Sequence, residues 1–308
     1  MPDNLTISTF DFARMFPDET SARVYMESKL WPEGPVCPVC GGLENIKTRA
    51  HRLGYYRCNP CKEDFTVRTG TIFERSHVPL QKWLYAIYLL MTARKGISSL
   101  QLSKEIGITQ KSAWFVLHRL REACSDELAK LAGTVEIDET DMGGKESNKH
   151  KSKKLNAGRG AVGKTAVLAM RQRGGKTIAK AVTDVNQKSV HEAVHARVEP
   201  GSTIISDESA VYNGLGGLFY TQQRVNHSAG EYTRGNVTTN GIESVFAVMK
   251  RGIVGVYHRT SAKHVGRYAN EFAFRLNDGN CQRHTLARLD SLVRGAARKR
   301  PTYKELTH

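Results

Sequence analysis

Three acidic residues stand at positions where their side chains could meet. In TVEIDET, strand alternation sets Val135 and Ile137 on one face and Glu136, Asp138 and Thr140 on the other, so Asp138 projects from a strand. Asp207 closes the apolar run STIISD, where side chains emerge at the carboxyl edge of a sheet. Glu243, separated from Asp207 by 35 intervening residues, lies in TTNGIESVFAVMKRG. Carboxylates gathered without counter-charge repel and raise one another's pKa, so such a cluster implies cations, and hard oxygen ligands select Mg2+ or Mn2+. Each position has rivals: Glu136, Glu139 and Asp141 beside Asp138, Glu208 and Asp184 near Asp207, and Glu231 or Glu271 in place of Glu243. Glu271 sits between Arg267 and Arg275 at i−4 and i+4, which reads as a salt-bridged helix face. Glu243 also has a purely structural reading. Asn240 is a good N-cap and Glu243 follows three residues later, the spacing of a capping box. Ile242, Val245, Phe246 and Met249 form the apolar stripe of that helix, with Glu243, Ala247 and Lys250 lined up at its edge.

Six cysteines supply the second chemistry. Cys37-Pro-Val-Cys40 and Cys58-Asn-Pro-Cys61 are two knuckles separated by 17 residues, the spacing of a structural zinc site. Two thiolates from each turn complete a tetrahedral set with no position left for water, so one zinc ion would fold the segment rather than catalyse. Cys124 and Cys281 are isolated and read as ordinary buried thiols.

Charge and periodicity indicate the framework around these groups. The 46 Lys and Arg against 30 Asp and Glu give a net charge of +16, which makes a polyanion, nucleic acid first, the expected partner. No apolar run approaches a membrane span, and MPDNLTISTFDFARMF lacks a signal-peptide layout, so the expected location is cytoplasmic, nucleoid-associated when on DNA. PLQKWLYAIYLLMTARKG reads as a helix; SSLQLSKEIG and TQKSAWFVLHRLREA then give two more around Gly107, the form of a helix-turn-helix in which Gln110, Lys111 and Ser112 open the recognition helix. A helical hairpin that merely spaces two domains is the alternative. Residues 143–164 form a basic loop, suited to DNA phosphates or to solvent. Within it, Gly158 to Thr165 satisfies the phosphate-loop pattern, but a lysine run precedes it and a hairpin turning at Gly174-Gly175 comes after, so no nucleotide is expected. Strands and helices then alternate through STIISD, as in a mixed sheet flanked by helices.

The blocks WPEGPVCPVCGG, YRCNPCKEDFTVRTGTIF, EIDETDMGGK, SDES, NHSAGEY, TNGIES, MKRG and YHRTSAKH together resemble bacterial insertion-sequence transposases of the DDE type, the group that joins a zinc ribbon to a ribonuclease-H-like nuclease. The resemblance runs from about Trp31 to Asn277. It departs from the pattern at Thr238 and Thr239, where relatives commonly carry a histidine. The implied fold is multidomain α/β: a helical lead-in over 1–30, a zinc ribbon over 31–76, a helix-turn-helix over 77–130, a ribonuclease-H-like domain over 131–280 and a basic tail over 281–308. The implied activity is metal-dependent 3′-end cleavage and strand transfer, with two Mg2+ or Mn2+ ions held by Asp138, Asp207 and Glu243 and one zinc held by Cys37, Cys40, Cys58 and Cys61. Element ends and target DNA are the implied partners. Gln110, Lys111, Ser112, Lys250 and Arg251 are the expected DNA contacts, and pairing two ends calls for a dimer or larger assembly. A domesticated DNA-binding regulator with a silent nuclease fold, or a nucleotide-driven ATPase, would be the other readings; the intact acids favour a transposase.

Overall fold

The computed structural model describes residues 5–144, 150–154 and 162–307. They divide into two compact units, one drawn from residues 1–125 and 278–308, the other from Asp126–Asn277. The lead-in, ribbon, helix-turn-helix and C-terminal segment therefore share one unit.

In that first unit, helices α1 (Thr9–Met15) and α2 (Glu19–Leu30) precede a three-stranded antiparallel sheet of β1 (Ile46–Thr48), β2 (Tyr56–Cys58) and β3 (Glu63–Phe65). Trp31, Tyr56 and Phe65 pack ring against ring at 5.4–5.7 Å and close a small core over Cys37 and Cys58. A core this small cannot hold the segment by burial alone, so the thiols must contribute. Helix α3 (Leu80–Thr92) is apolar on nearly every side, with Trp83, Leu84, Ile87 and Leu90 all buried. Helices α4 (Ser99–Ile106) and α5 (Gln110–Ala123) come next, joined at Gly107, whose φ of 60° is the left-handed conformation that ends the first helix. Thr109 caps α5 by accepting from the Ser112 N–H.

The second unit is built on a five-stranded sheet of order β6-β5-β4-β7-β8. Its strands are β4 (Thr134–Met142), β5 (Thr165–Gln172), β6 (Thr177–Val182), β7 (Thr203–Ser206) and β8 (Thr221–Arg224). The first three pair antiparallel, β7 runs parallel to β4 and β8 parallel to β7, the mixed ribonuclease-H-like arrangement expected from the sequence. Side-chain alternation along β4 divides the core. Val135 and Ile137 pack with α6 (Gln187–Arg197) and Tyr212, whereas Met142 packs on the opposite face with α7 (Asn240–Gly252) and α8 (Val265–Leu276). The short hairpin β9 (Thr233–Arg234) and β10 (Val237–Thr238) leads into α7, whose Ile242, Val245, Phe246 and Met249 form the buried stripe. Helices α9 (Thr285–Gly295) and α10 (Tyr303–Thr307) return to the first unit. Among the described residues no helix is long and apolar enough to cross a membrane.

Most of the basic loop at 143–164 lies outside the described residues, as does the first half of the phosphate-loop lookalike. Immediately after Lys164 the chain enters strand β5 and not the helix a phosphate loop requires.

Candidate metal centres and the carboxylate site

The four cysteines converge. The Sγ atoms of Cys37, Cys40, Cys58 and Cys61 all lie within 4.8 Å of one another, and Cys40 Sγ is 3.8 Å from Cys58 Sγ. A tetrahedron with metal–sulfur bonds of about 2.3 Å has edges of about 3.8 Å, so the cage fits zinc. The first knuckle is a tight turn: the Gly41 N–H donates to the Cys37 carbonyl, and the Cys37 N–H to the Gly42 carbonyl. Hydrogen bonds, that of Cys61 foremost, draw Cys40 down to about 7, while the Cys40 contact and desolvation hold Cys61 up at about 12. Four thiols in one cage cannot all ionise unless a cation compensates them. Of the isolated cysteines, Cys124 is buried as expected; Cys281 is exposed, because it sits in the turn before α9 and not on a packed helix face.

The carboxylate site is assembled by the sheet. Strands β4 and β7 are parallel with Glu136 beside Ile205, and the same register carried two residues further sets Asp138 beside Asp207. Adjacent strands are about 4.8 Å apart, so these two acids are neighbours. Asp138 accepts from the Glu139 N–H at 2.8 Å, and Asp207 accepts from the Ser209 N–H at 3.0 Å. Burial pushes the Asp138 carboxyl up to about 7, and the charges of Glu139, Asp207 and Glu243 add to that shift. Glu243 thus acts electrostatically on the same group from α7. Among the described residues, none of the three has a lysine or arginine within 4.0 Å. Their spacing is looser than that of the thiols: among the described residues, only the cysteines bring three or more ligand atoms within 4.8 Å of one another. A pair of ions about 3.5–4 Å apart tolerates such spacing, since ligands on opposite sides of the pair need not touch.

The alternative capping role of Glu243 is not what the fold uses. Helix α7 begins one residue earlier than the capping-box pattern implies, with Thr239 at the N-cap, which places Glu243 one position too far along the helix to close the box. The helix end is served from the sheet. Buried Glu136 accepts the Ile242 N–H at 2.9 Å and is held by Arg173 Nε at 2.8 Å, while Arg173 also donates to the carbonyls of Asn236 and Thr238. A carboxylate at a helix N-terminus satisfies unpaired N–H groups and meets the positive end of the helix dipole. Gly241 is required by this close approach, because a Cβ there would overlap the Glu136 carboxylate. Glu136, a rival of Asp138 on the same strand face, is thereby committed elsewhere.

Four of the other rivals are also occupied. Glu139, on the opposite face, accepts from the Tyr212 hydroxyl, and burial raises its pKa. Glu271 is fully buried and bonded to Arg275 at 2.8 Å and to the Tyr257 hydroxyl at 2.6 Å. Glu231 accepts from the Asn226 N–H at 3.2 Å and closes its own loop. Glu208 accepts from the N–H groups of His227 and Ser228 and from the Ser228 hydroxyl, which holds its carboxyl down at about 2. That anchorage fixes His227, whose Nε2 lies 3.4 Å from Thr239 Oγ1 and 3.9 Å from Glu243 Oε1. Sequence spacing does not single out His227; the only signal for it is its place in the NHSAGEY block.

The expected DNA-contacting side chains are distributed over both units. Gln110 and Lys111 are exposed at the start of α5, Ser112 is half-buried beside them, and Lys250 and Arg251 are exposed at the end of α7. Gln110 Nε2 donates to Ser99 Oγ, and the Lys111 ammonium lies 6.0 Å from the centre of the Tyr303 ring. One concavity of about 810 Å3 runs along α6 past His191 and His195, which form the string HEAVH. It holds none of the three acids. Among the described residues no third ligand atom completes a metal-binding group with those two histidines.

A family model described as the ISXO2-like transposase domain matches residues 130–277, and one described as a transposase zinc-ribbon domain matches residues 17–64. An uncharacterised protein in the transposable element ISH50 of Halobacterium salinarum is 30% identical over 252 residues, which cover 77% of this chain and 84% of that relative. Two solved structures align weakly. A simian T-cell lymphotropic virus intasome in complex with PP2A regulatory subunit B56 gamma has a TM-score of 0.28 at 11% identity, covering 60% of this chain and 65%, less than two thirds, of its own. A pre-cleavage Mos1 transpososome has a TM-score of 0.26 at 11% identity, covering 68% and 78%. Scores so low add nothing to the fold or the site. The ribbon match and the sheet-domain match, together with a relative aligned over most of both lengths, carry the conclusion: this chain belongs to the family of ISXO2-like transposases.

Proposed function

We propose that this transposase binds the terminal repeats of its element, cleaves the 3′ ends and joins them to target DNA, with Asp138, Asp207 and Glu243 as the ligands of two Mg2+ or Mn2+ ions. The observation that carries the reading is the β4–β7 register, which sets Asp138 beside Asp207, together with the charge of Glu243 acting on the same buried carboxyl. When bound, a pair of divalent ions supplies charge stabilisation to the attacking and leaving oxygens of an in-line displacement. The chain does the rest. Asp138, Asp207 and Glu243 would hold the ions, with Asp138 ionised, and the charge of the ions would offset the repulsion between these carboxylates and the scissile phosphodiester, at which water attacks phosphorus and the 3′ oxygen leaves. The freed 3′-OH would then attack a target phosphodiester at the same site, forming a new P–O bond as the target strand's own 3′ oxygen leaves, so neither ATP nor a protein–DNA covalent bond is required.

Affinity for DNA comes from the +16 charge, and selection of the ends from the ribbon and from α5 through Gln110, Lys111 and Ser112, with Lys250 and Arg251 on backbone phosphates near the site. Two ends must be held together for joining, which calls for at least a dimer on DNA. Contact with six or more phosphates implies an affinity loss of about a thousandfold between 50 and 200 mM salt. The deciding experiment is nicking and joining of a labelled element-end duplex by the full chain in Mg2+ and in Mn2+. Metal-dependent release of a 3′-OH end is the expected result. End-specific binding with no nicking in either metal would make the protein a DNA-binding regulator instead.

A further inference from the structure

Glu243 stands on a helix surface with its side chain 45% exposed, a poor setting for a ligand that must hold one orientation. A free glutamate there samples several rotamers. Thr239, only 1% exposed, donates its hydroxyl proton to Glu243 Oε1 at 3.0 Å. With that proton spent on a carboxylate, the threonine oxygen can only accept from its other neighbour, His227 Nε2 at 3.4 Å, which fixes the imidazole as an Nε2–H donor. His227 is itself held from two sides. Its ring packs on Tyr232 at 5.3 Å, and its backbone N–H donates to Glu208, the residue next to Asp207. A continuous chain of contacts therefore runs from the second carboxylate's neighbour to the third carboxylate.

We propose that His227 and Thr239 form a hydrogen-bonded relay that holds Glu243 in a metal-binding orientation, with Glu208 as the anchor of the loop that carries His227; this rests on the reading of Glu243 as a metal ligand. His227 and Thr239 are positioning residues, since they act through Glu243 and not on DNA. Outer partners of metal ligands typically change metal affinity by about 10–100-fold when removed.

The test is Mn2+ binding to the full-length chain without DNA, followed by electron paramagnetic resonance, with thermal melting alongside. His227→Ala and Thr239→Val are each expected to weaken Mn2+ binding by about 10–100-fold. His227→Gln, which keeps an N–H donor, and Thr239→Ser, which keeps the hydroxyl, should each restore most of it. A merely structural role would not distinguish Ser from Val in that way. In a Glu243→Gln background, His227→Ala should add less than about a twofold further loss, because the relay has nothing left to hold. Parental Mn2+ affinity in folded His227→Ala, or an undiminished effect in the Glu243→Gln background, would overturn the relay while leaving the metal site standing. Should His227→Ala fail to fold, the Ser and Val pair at 239 decides the matter alone. Parental Mn2+ binding in Glu243→Gln would sink the metal-ligand reading, and the relay with it.

Discussion

The cysteine cage and the carboxylate site are built on opposite plans. The cage draws four soft ligands from 25 consecutive residues, packs them within 4.8 Å of one another and leaves no opening. The carboxylate site draws three acidic side chains from a strand, the residue that follows another strand and a helix, over positions 138 to 243, spaces them more widely and leaves Glu243 at the surface. One plan suits a metal whose work is to fold a segment too small for a core of its own. The other suits ions that must also meet a substrate, and it tolerates the repulsion among Asp138, Asp207 and Glu243 that a buried structural site would avoid.

The strongest consequence lies in the cage. Structural zinc binding amounts to roughly 10–16 kcal/mol in small domains, so Cys58→Ser or strong chelation should unfold residues 37–65. Zinc content by elemental analysis and protease cleavage within that segment would report it. If the two sites are independent, Mn2+ binding at the acids survives; its loss in Cys58→Ser would show that they are not. Next come Asp138→Asn, Asp207→Asn and Glu243→Gln, each expected to cut Mg2+-dependent nicking by about a thousandfold, equivalent to about 4 kcal/mol, with zinc content unchanged. Double substitutions should add little, because the ligands act as a unit. A folded Glu243→Gln protein with near-parental nicking would return that residue to a structural role.

A more modest effect separates the structural carboxylate from the three proposed as metal ligands. Glu136→Gln should cost about 2–3 kcal/mol by urea unfolding, since it removes the buried charge paired with Arg173 and weakens the acceptor of the Ile242 N–H. Gly241→Ala should destabilise by a similar amount through overlap with the same carboxylate. The mildest effect, read between pH 6 and 8, is on stability. Asp138 is raised to about 7 from 3.8, so between those values the folded state binds more protons than the unfolded one. Stability without divalent ions therefore falls as pH rises from near 4 through 7, by about 1 kcal/mol between pH 6 and 8. Asp138→Asn should flatten this slope, and saturating Mg2+ should reverse its sign by favouring the ionised carboxylate. A melting profile that stays flat in the parent protein would show that burial does not hold the proton there.

Features that depend on near neighbours are legible in the amino-acid order alone. Paired knuckles fix the zinc ligands because each turn already presents two thiols, and alternation in TVEIDET separates Asp138 from Glu139 because successive strand residues point to opposite faces. The α4–α5 helix pair is legible for the same reason, from Thr109 and Gly107 at the helix ends. Contacts between distant segments had to wait for the folded chain. Only the sheet register sets Asp138 beside Asp207, and only packing sends Glu136 to the N-terminus of α7 with Arg173, which removes the need for a capping box and frees Glu243. The anchoring of His227 by Glu208, 19 residues away, is likewise invisible in spacing. Chemical type and short-range geometry are written in neighbouring residues; which partner satisfies a given buried charge is settled only when the chain has closed around it.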